Sequence, residues 1–165
     1  MRRPILAALC LIGPGLLAAC AEKPTQGAGA QPVDFATIAK PWPYNGYLVC
    51  PLDLCPEPSD ATSPSFTLPM ARLESLADKA ILSQPGITAL GGDPARHQKI
   101  YTSGATAGGP VWVQFYALSP TRSTLALYTG SNLPYYDFNA SRELAEDWLR
   151  AIRKAAGPDA VSIEN

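Results

Sequence analysis

Two hydrophobic periods organise the chain from residue 69 onward. Between 111 and 118 the period is two. Val111, Val113, Phe115 and Ala117 fall on one face, and Trp112, Gln114, Tyr116 and Leu118 on the other. Successive side chains of extended backbone point to opposite sides, so this alternation predicts a strand. Residues 123–129 repeat it, with Leu125 and Leu127 against Ala126 and Tyr128. Ser119-Pro120-Thr121-Arg122 is too short for a crossover, which predicts antiparallel neighbours. Residues 87–90 and 98–103 make two further short strands, parted by a turn at Gly91-Gly92-Asp93-Pro94, and a glycine-rich loop spans 104–110. The second period is helical. After Leu68-Pro69, Leu73, Leu76, Ala77 and Ala80 share one face, and Pro85-Gly86 stops the pattern. Leu144, Trp148, Ala151, Ile152 and Ala155 make a second such stripe, closed by Gly157-Pro158. Glu143, Glu146 and Asp147 come early in that helix, and Arg150, Arg153 and Lys154 late, as its dipole favours.

The order is therefore helix, strands, helix. It predicts an α+β fold in which an antiparallel sheet of about four strands carries both helices on one face. Upstream the pattern fades. Residues 20–41 are rich in Ala, Gly, Pro, Gln and Thr without a period, and are expected to be a flexible tether. Residues 41–47 bring Pro41, Trp42, Pro43, Tyr44 and Tyr47 together, as an extended lid on the core or an aromatic platform for a ligand. Residues 50–67 hold two cysteines and four prolines, which predicts a stapled loop. One domain at 42–157 and a short tail at 158–165 complete the division.

The first nineteen residues belong to a different pattern. Arg2 and Arg3 precede an apolar run over 4–16 that is short for a bilayer-spanning helix, and the run closes on Leu17-Ala18-Ala19-Cys20. Small residues before a cysteine at the end of a signal peptide form a lipobox. The chain is expected to be exported, cut before Cys20, and held by acyl chains such as palmitate on that sulfur. Each buried methylene contributes about 0.8 kcal/mol to such an anchor. Ala21, and no Asp there, favours the periplasmic leaflet of the outer membrane if the cell is Gram-negative.

Charge and cysteine count narrow the chemistry. The chain has 13 basic and 14 acidic residues, a net charge of −1, and losing Arg2 and Arg3 with the leader brings this to −3. No basic patch of the kind nucleic acid needs is present. Of four cysteines, Cys10 lies in the leader and Cys20 carries lipid. Cys50 and Cys55 remain, and in an oxidising compartment they are expected to be joined. A metal site would need two ligands beyond these cysteines, and His97 is the only histidine; a redox pair more usually has two intervening residues. No nucleophile elbow, phosphate loop or zinc-binding histidine pair occurs, so no catalytic residue, metal or cofactor is assigned. His97 lacks a sequence motif that would orient it as a base. Asp53, Glu57 and Asp60 follow no calcium-loop spacing and suit a solvated acidic loop.

Tyr135-Tyr136-Asp137-Phe138-Asn139-Ala140-Ser141-Arg142 and the Trp148 helix after it resemble the C-terminal signature of the family called domain of unknown function 1499. That signature has an Asp, a Phe or Leu, a Gly, a spaced Asn-Arg and a second Arg. Asp137, Phe138 and Arg142 match it, whereas Asn139, Ser141 and Leu144 stand where Gly, Asn and the second Arg are usual. The cysteine loop before the first helix is also similar, and the likeness covers roughly residues 46–155. The resemblance implies an envelope or membrane-associated protein and supplies no reaction. Tyr136, Asp137 and Arg142 are the candidate ligand-binding residues; the alternative is that Asp137 or Asn139 caps the helix and Arg142 pairs with a carboxylate.

The expected function is a non-catalytic envelope lipoprotein acting by binding or as an accessory to an envelope complex, with a periplasmic or envelope protein as partner. Two alternatives accompany it: a carrier of lipid or another small apolar ligand between sheet and helices, and an enzyme with a site near Asp137 and Arg142.

Overall fold

The hairpin expected at 111–129 lies at the centre of the sheet. The computed structural model describes residues 30–38, 46–55, 58–103, 109–130 and 137–162. Its strands are β1 (Gly46–Cys50), β2 (Ala61–Thr62), β3 (Ser65–Phe66), β4 (Ala89–Asp93), β5 (Gln98–Thr102), β6 (Pro110–Ser119), β7 (Arg122–Gly130) and β8 (Val161–Ser162). Its helices are α1 (Met70–Leu82) and α2 (Ala140–Ala156). β6 and β7 pair antiparallel from Val111↔Thr129 to Ser119↔Arg122, with a register shift between Ala117 and Ser119. Around them the order is β2-β1-β7-β6-β5-β4. β3 joins the same edge of β7 further along, at Phe66↔Ser123, and β8 pairs with β3.

The class is α+β, as expected, but the sheet is larger than four strands and is mixed. β1 and β2 run parallel, Val49↔Ala61 and Cys50↔Thr62. Three strands also precede α1, so the order is not helix, strands, helix. The difference comes from β1. Leu48, Val49 and Cys50 are all buried, because both faces of this strand are covered. A strand buried on both sides has no polar alternation, and the surrounding prolines and cysteines resemble a loop. The Gly91-Gly92-Asp93 turn also moves. These residues belong to β4, and the reversal is a 3₁₀ turn at Pro94–Arg96 whose first N–H groups Asp93 caps through Ala95 N. At Gly92 only glycine fits: its φ is +152°, and a Cβ would collide with the Gln98 carbonyl.

The helices obey their periods. Pro69 leads into α1, which buries Leu73, Ala77 and Ile81 at successive i+4 positions. α2 buries Leu144, Ala145, Trp148, Leu149 and Ile152, and Gly157, at φ +93°, closes it with an N–H bond to Arg153 O. Both helices pack on the face formed by Val49, Phe66, Tyr101, Val111, Val113, Phe115, Leu125 and Leu127. Tyr101 meets Trp148 edge to face at 5.6 Å.

The opposite face carries Leu48, Cys50, Ala126, Tyr128, Trp112 and Tyr116. Residues 30–38 cover it. Phe35 is 0% exposed and Ile38 is buried, both packed on that cluster. The expected tether at 20–41 is therefore corrected over this stretch: its last described part is a strap on the domain. The remainder of that expectation, and the lid at 41–45, lies outside the described residues. Among the described residues no helix is long and apolar enough to cross a membrane.

Candidate functional site

The start of α2 was the expected ligand site. Asp137 is buried there, and its carboxylate accepts the N–H groups of Asn139 at 3.1 Å and Ser141 at 3.3 Å. Its own carbonyl accepts the Ala140 N–H at 3.0 Å. Between these bonds the backbone turns left-handed twice, at Phe138 (φ 53°) and Asn139 (φ 69°). Such conformations are uncommon without glycine, and the three bonds to Asp137 hold them in place. Asp137 thus performs the capping role, from two residues before the formal N-cap, Asn139, whose side chain makes no capping bond. Arg142 points elsewhere. It lies in solvent, and its Nε donates to Glu146 Oε1 at 2.7 Å, one turn along. The hydrogen bond and charge of Glu146 raise its pKa above the ordinary value. Asp137 and Arg142 are not brought together, and Tyr136 and Cys20 lie outside the described residues.

A second polar group joins α1 to β5. Glu74 and Asp78 are one helical turn apart, and Lys99 and Tyr101 alternate along the strand, so all four face the same seam. Glu74 Oε2 lies 3.0 Å from His97 Nδ1, Lys99 Nζ lies 3.0 Å from Asp78 Oδ2, and the Tyr101 hydroxyl donates to Asp78 Oδ1 at 2.8 Å. Burial raises the Tyr101 pKa, and the hydrogen bond to Asp78 adds to the effect. His97 therefore has the orienting carboxylate that no motif announced. A Glu74-bound Nδ1–H would leave Nε2 as a proton acceptor. No described hydroxyl or thiol hydrogen-bonds that nitrogen, while Lys99, Asp78 and Tyr101 are engaged with one another. The geometry fits a clamp between helix and strand. Among the described residues no group of three His, Cys, Asp or Glu side chains is placed to hold a metal.

The strap-covered face holds the third arrangement. Gln98 is 2% exposed and lies beneath residues 31–38. Its Oε1 accepts the Val33 N–H at 2.9 Å, and its Nε2 donates both to the Val33 carbonyl at 2.7 Å and to Gln114 Oε1 at 2.9 Å. One side-chain amide thus binds both main-chain groups of one residue. Trp112 Nε1 donates to the Gln31 carbonyl at 2.9 Å, and its ring stacks on Tyr128 at 5.7 Å. Cys50 and Cys55 are joined by a disulfide at the margin of this face. Asp60 lies exposed in the loop, as expected, and also ties that loop to β1: its Oδ2 accepts the Leu48 N–H at 2.7 Å and its N–H donates to Leu48 O.

No family model, curated protein or solved structure matches this chain.

Proposed function

We propose that the chain is a cell-envelope lipoprotein, anchored by acyl chains on Cys20, whose domain acts by binding an envelope protein and not by catalysis. The observation that carries this reading is Leu17-Ala18-Ala19-Cys20 at the end of a short apolar run behind Arg2 and Arg3. The Cys50–Cys55 disulfide supports it, since such bonds persist in oxidising compartments. The docked strap refines it. Ala30 is ten positions after Cys20, and ten residues reach at most about 35 Å. The domain works close to the membrane that holds it. A carrier role is less well supported, because Trp148, Tyr101, Phe66, Phe115 and Leu73 fill the layer between sheet and helices. Likeness to the domain of unknown function 1499 family belongs to the same proposal. The Asp137 it shares has a role in the fold, at the start of α2, and supplies no reaction.

Cell fractionation tests the anchor. Wild-type protein should sediment with membranes and carry acyl chains by intact mass, and Cys20→Ser should appear in the soluble fraction without them. A Cys20→Ser protein that still sediments with membranes overturns the proposal.

A further inference from the structure

Phe138 is the most exposed of the large apolar side chains described, at 78%, and its backbone is left-handed, at φ 53°. An exposed apolar residue is ordinary by itself. A bulky residue in that backbone conformation is not. Three hydrogen bonds to Asp137 hold the turn and keep the ring at one place on the surface.

The place of Phe138 in the fold says what it meets. α2 begins at the end of the sheet where β7 finishes, and the Thr129 hydroxyl donates to the Ser141 carbonyl at 3.1 Å. The strap begins at the same end, on the other face. Gln31 is bonded to Trp112, whose ring lies beside Gly130, and Val33 is bonded further along, to Gln98. The chain arriving from Cys20 therefore reaches the domain at the end that carries Phe138. Ala30 is ten positions after Cys20, a reach of at most about 35 Å. The β6–β7 hairpin closes the opposite end, about 20 Å away along β7. A tether attached at one end turns that end toward the surface that holds it.

We propose that Phe138 enters the headgroup region of the bilayer that holds Cys20, as a second, non-covalent contact that sets the orientation of the domain. The proposal rests on the lipoprotein reading above. Aromatic rings favour the membrane interface, where their apolar body leaves water. One ring is too little apolar surface to hold a free domain on a membrane. The tether removes that requirement, because it keeps Phe138 at high effective concentration beside the bilayer.

Quenching by lipid-borne nitroxide tests the contact. The mature chain with Cys20→Ser carries an N-terminal histidine tag, which nickel-chelating lipid holds on vesicles of zwitterionic phospholipid. Cys50 and Cys55 are joined, so one added cysteine takes a fluorophore. It is placed at Glu143→Cys, exposed on the first turn of α2, or at Leu118→Cys, exposed near the hairpin. The nitroxide should quench the label at 143 roughly threefold more than the label at 118. Phe138→Gly should abolish that difference and leave the unfolding midpoint no lower than in wild type, since glycine suits the left-handed backbone. Equal quenching of the two labels with Phe138 in place overturns the proposal, as does a difference that survives Phe138→Gly. A midpoint lowered by Phe138→Gly assigns the ring to the fold and contradicts it too. The tag supplies the anchor here, so the outcome is separate from whether the cell acylates Cys20.

Discussion

The two faces of the sheet are covered by different means. One lies under α1 and α2, whose period-3.6 stripes meet eight strand side chains in a continuous core. The other lies under nine residues, 30–38, that contribute Phe35, Ile38 and Val33, and Gln98 and Trp112 of the sheet hydrogen-bond to their main chain. The same strands build both. In β7, Leu125 and Leu127 face the helices while Ala126 and Tyr128 face the strap, which leaves that strand buried on both sides. The helices are integral to the fold, since removing either would expose the core. The strap is an added cover whose loss leaves the helix-side core intact. The difference predicts that the two covers open separately.

Truncation on each face should divide the responses most strongly. Trp148→Ala removes the largest fully buried side chain of the helix face and should cost about 3–5 kcal/mol in denaturant unfolding. Phe35→Ala should cost about 2 kcal/mol or less, because the strap can lift instead of leaving a cavity in the domain. An equal loss for the two variants would erase the distinction. At the α2 start, Asp137→Ala should cost about 1 kcal/mol by freeing the Asn139 and Ser141 N–H groups. Arg142→Ala should leave the unfolding midpoint unchanged, as its Glu146 partner is also in water. A loss from Arg142→Ala as large as that from Asp137→Ala would show that Arg142 has a structural partner in the folded state.

Alkaline unfolding gives the smallest and most selective effect. Burial, with a contribution from Asp34 of the strap opposed by Arg96, pushes the Tyr116 pKa up to about 12. Burial and then Asp60 raise that of Tyr128 on the same face. A raised folded value means that the unfolded chain loses its proton first, at pH 10, so the native state is favoured below pH 10 and loses this stability as pH rises toward 12. Tyr116→Phe should flatten the fall in stability over that window. A slope as steep as in wild type would exclude Tyr116 as a contributor.

Much of the helix-covered face was legible along the chain, and little of the other. Leu73 and Ala77 announce themselves because one side of the helix is apolar and the other polar, and Val111, Val113 and Phe115 because they recur every second residue in a long β-branched and aromatic run. Val33, Phe35 and Ile38 are spaced by two and then three, which matches neither a strand nor a helix, and they sit among residues typical of linkers. β1 was hidden for the opposite reason: with both faces covered it carries no contrast. The candidate site divides in the same way. Asp137 was legible as a helix-start residue from its place before the Trp148 stripe. Its separation from Arg142 was not, since that depends on the left-handed pair at Phe138 and Asn139. The Glu74 partner of His97 lies on another element and follows no motif. Gln98 gave no signal at all, because its role depends on a segment 65 positions away.

Native-state hydrogen exchange measures the independence of the two covers most directly. The Val33 amide, bonded to Gln98, reports the strap, and the amides of β7 paired with β6 report the core. The account predicts that the Val33 amide exchanges through a local opening, at a lower free energy than β7 and with little denaturant dependence. Exchange of Val33 at the same free energy and denaturant dependence as β7 would contradict it, since strap and sheet would then open only together.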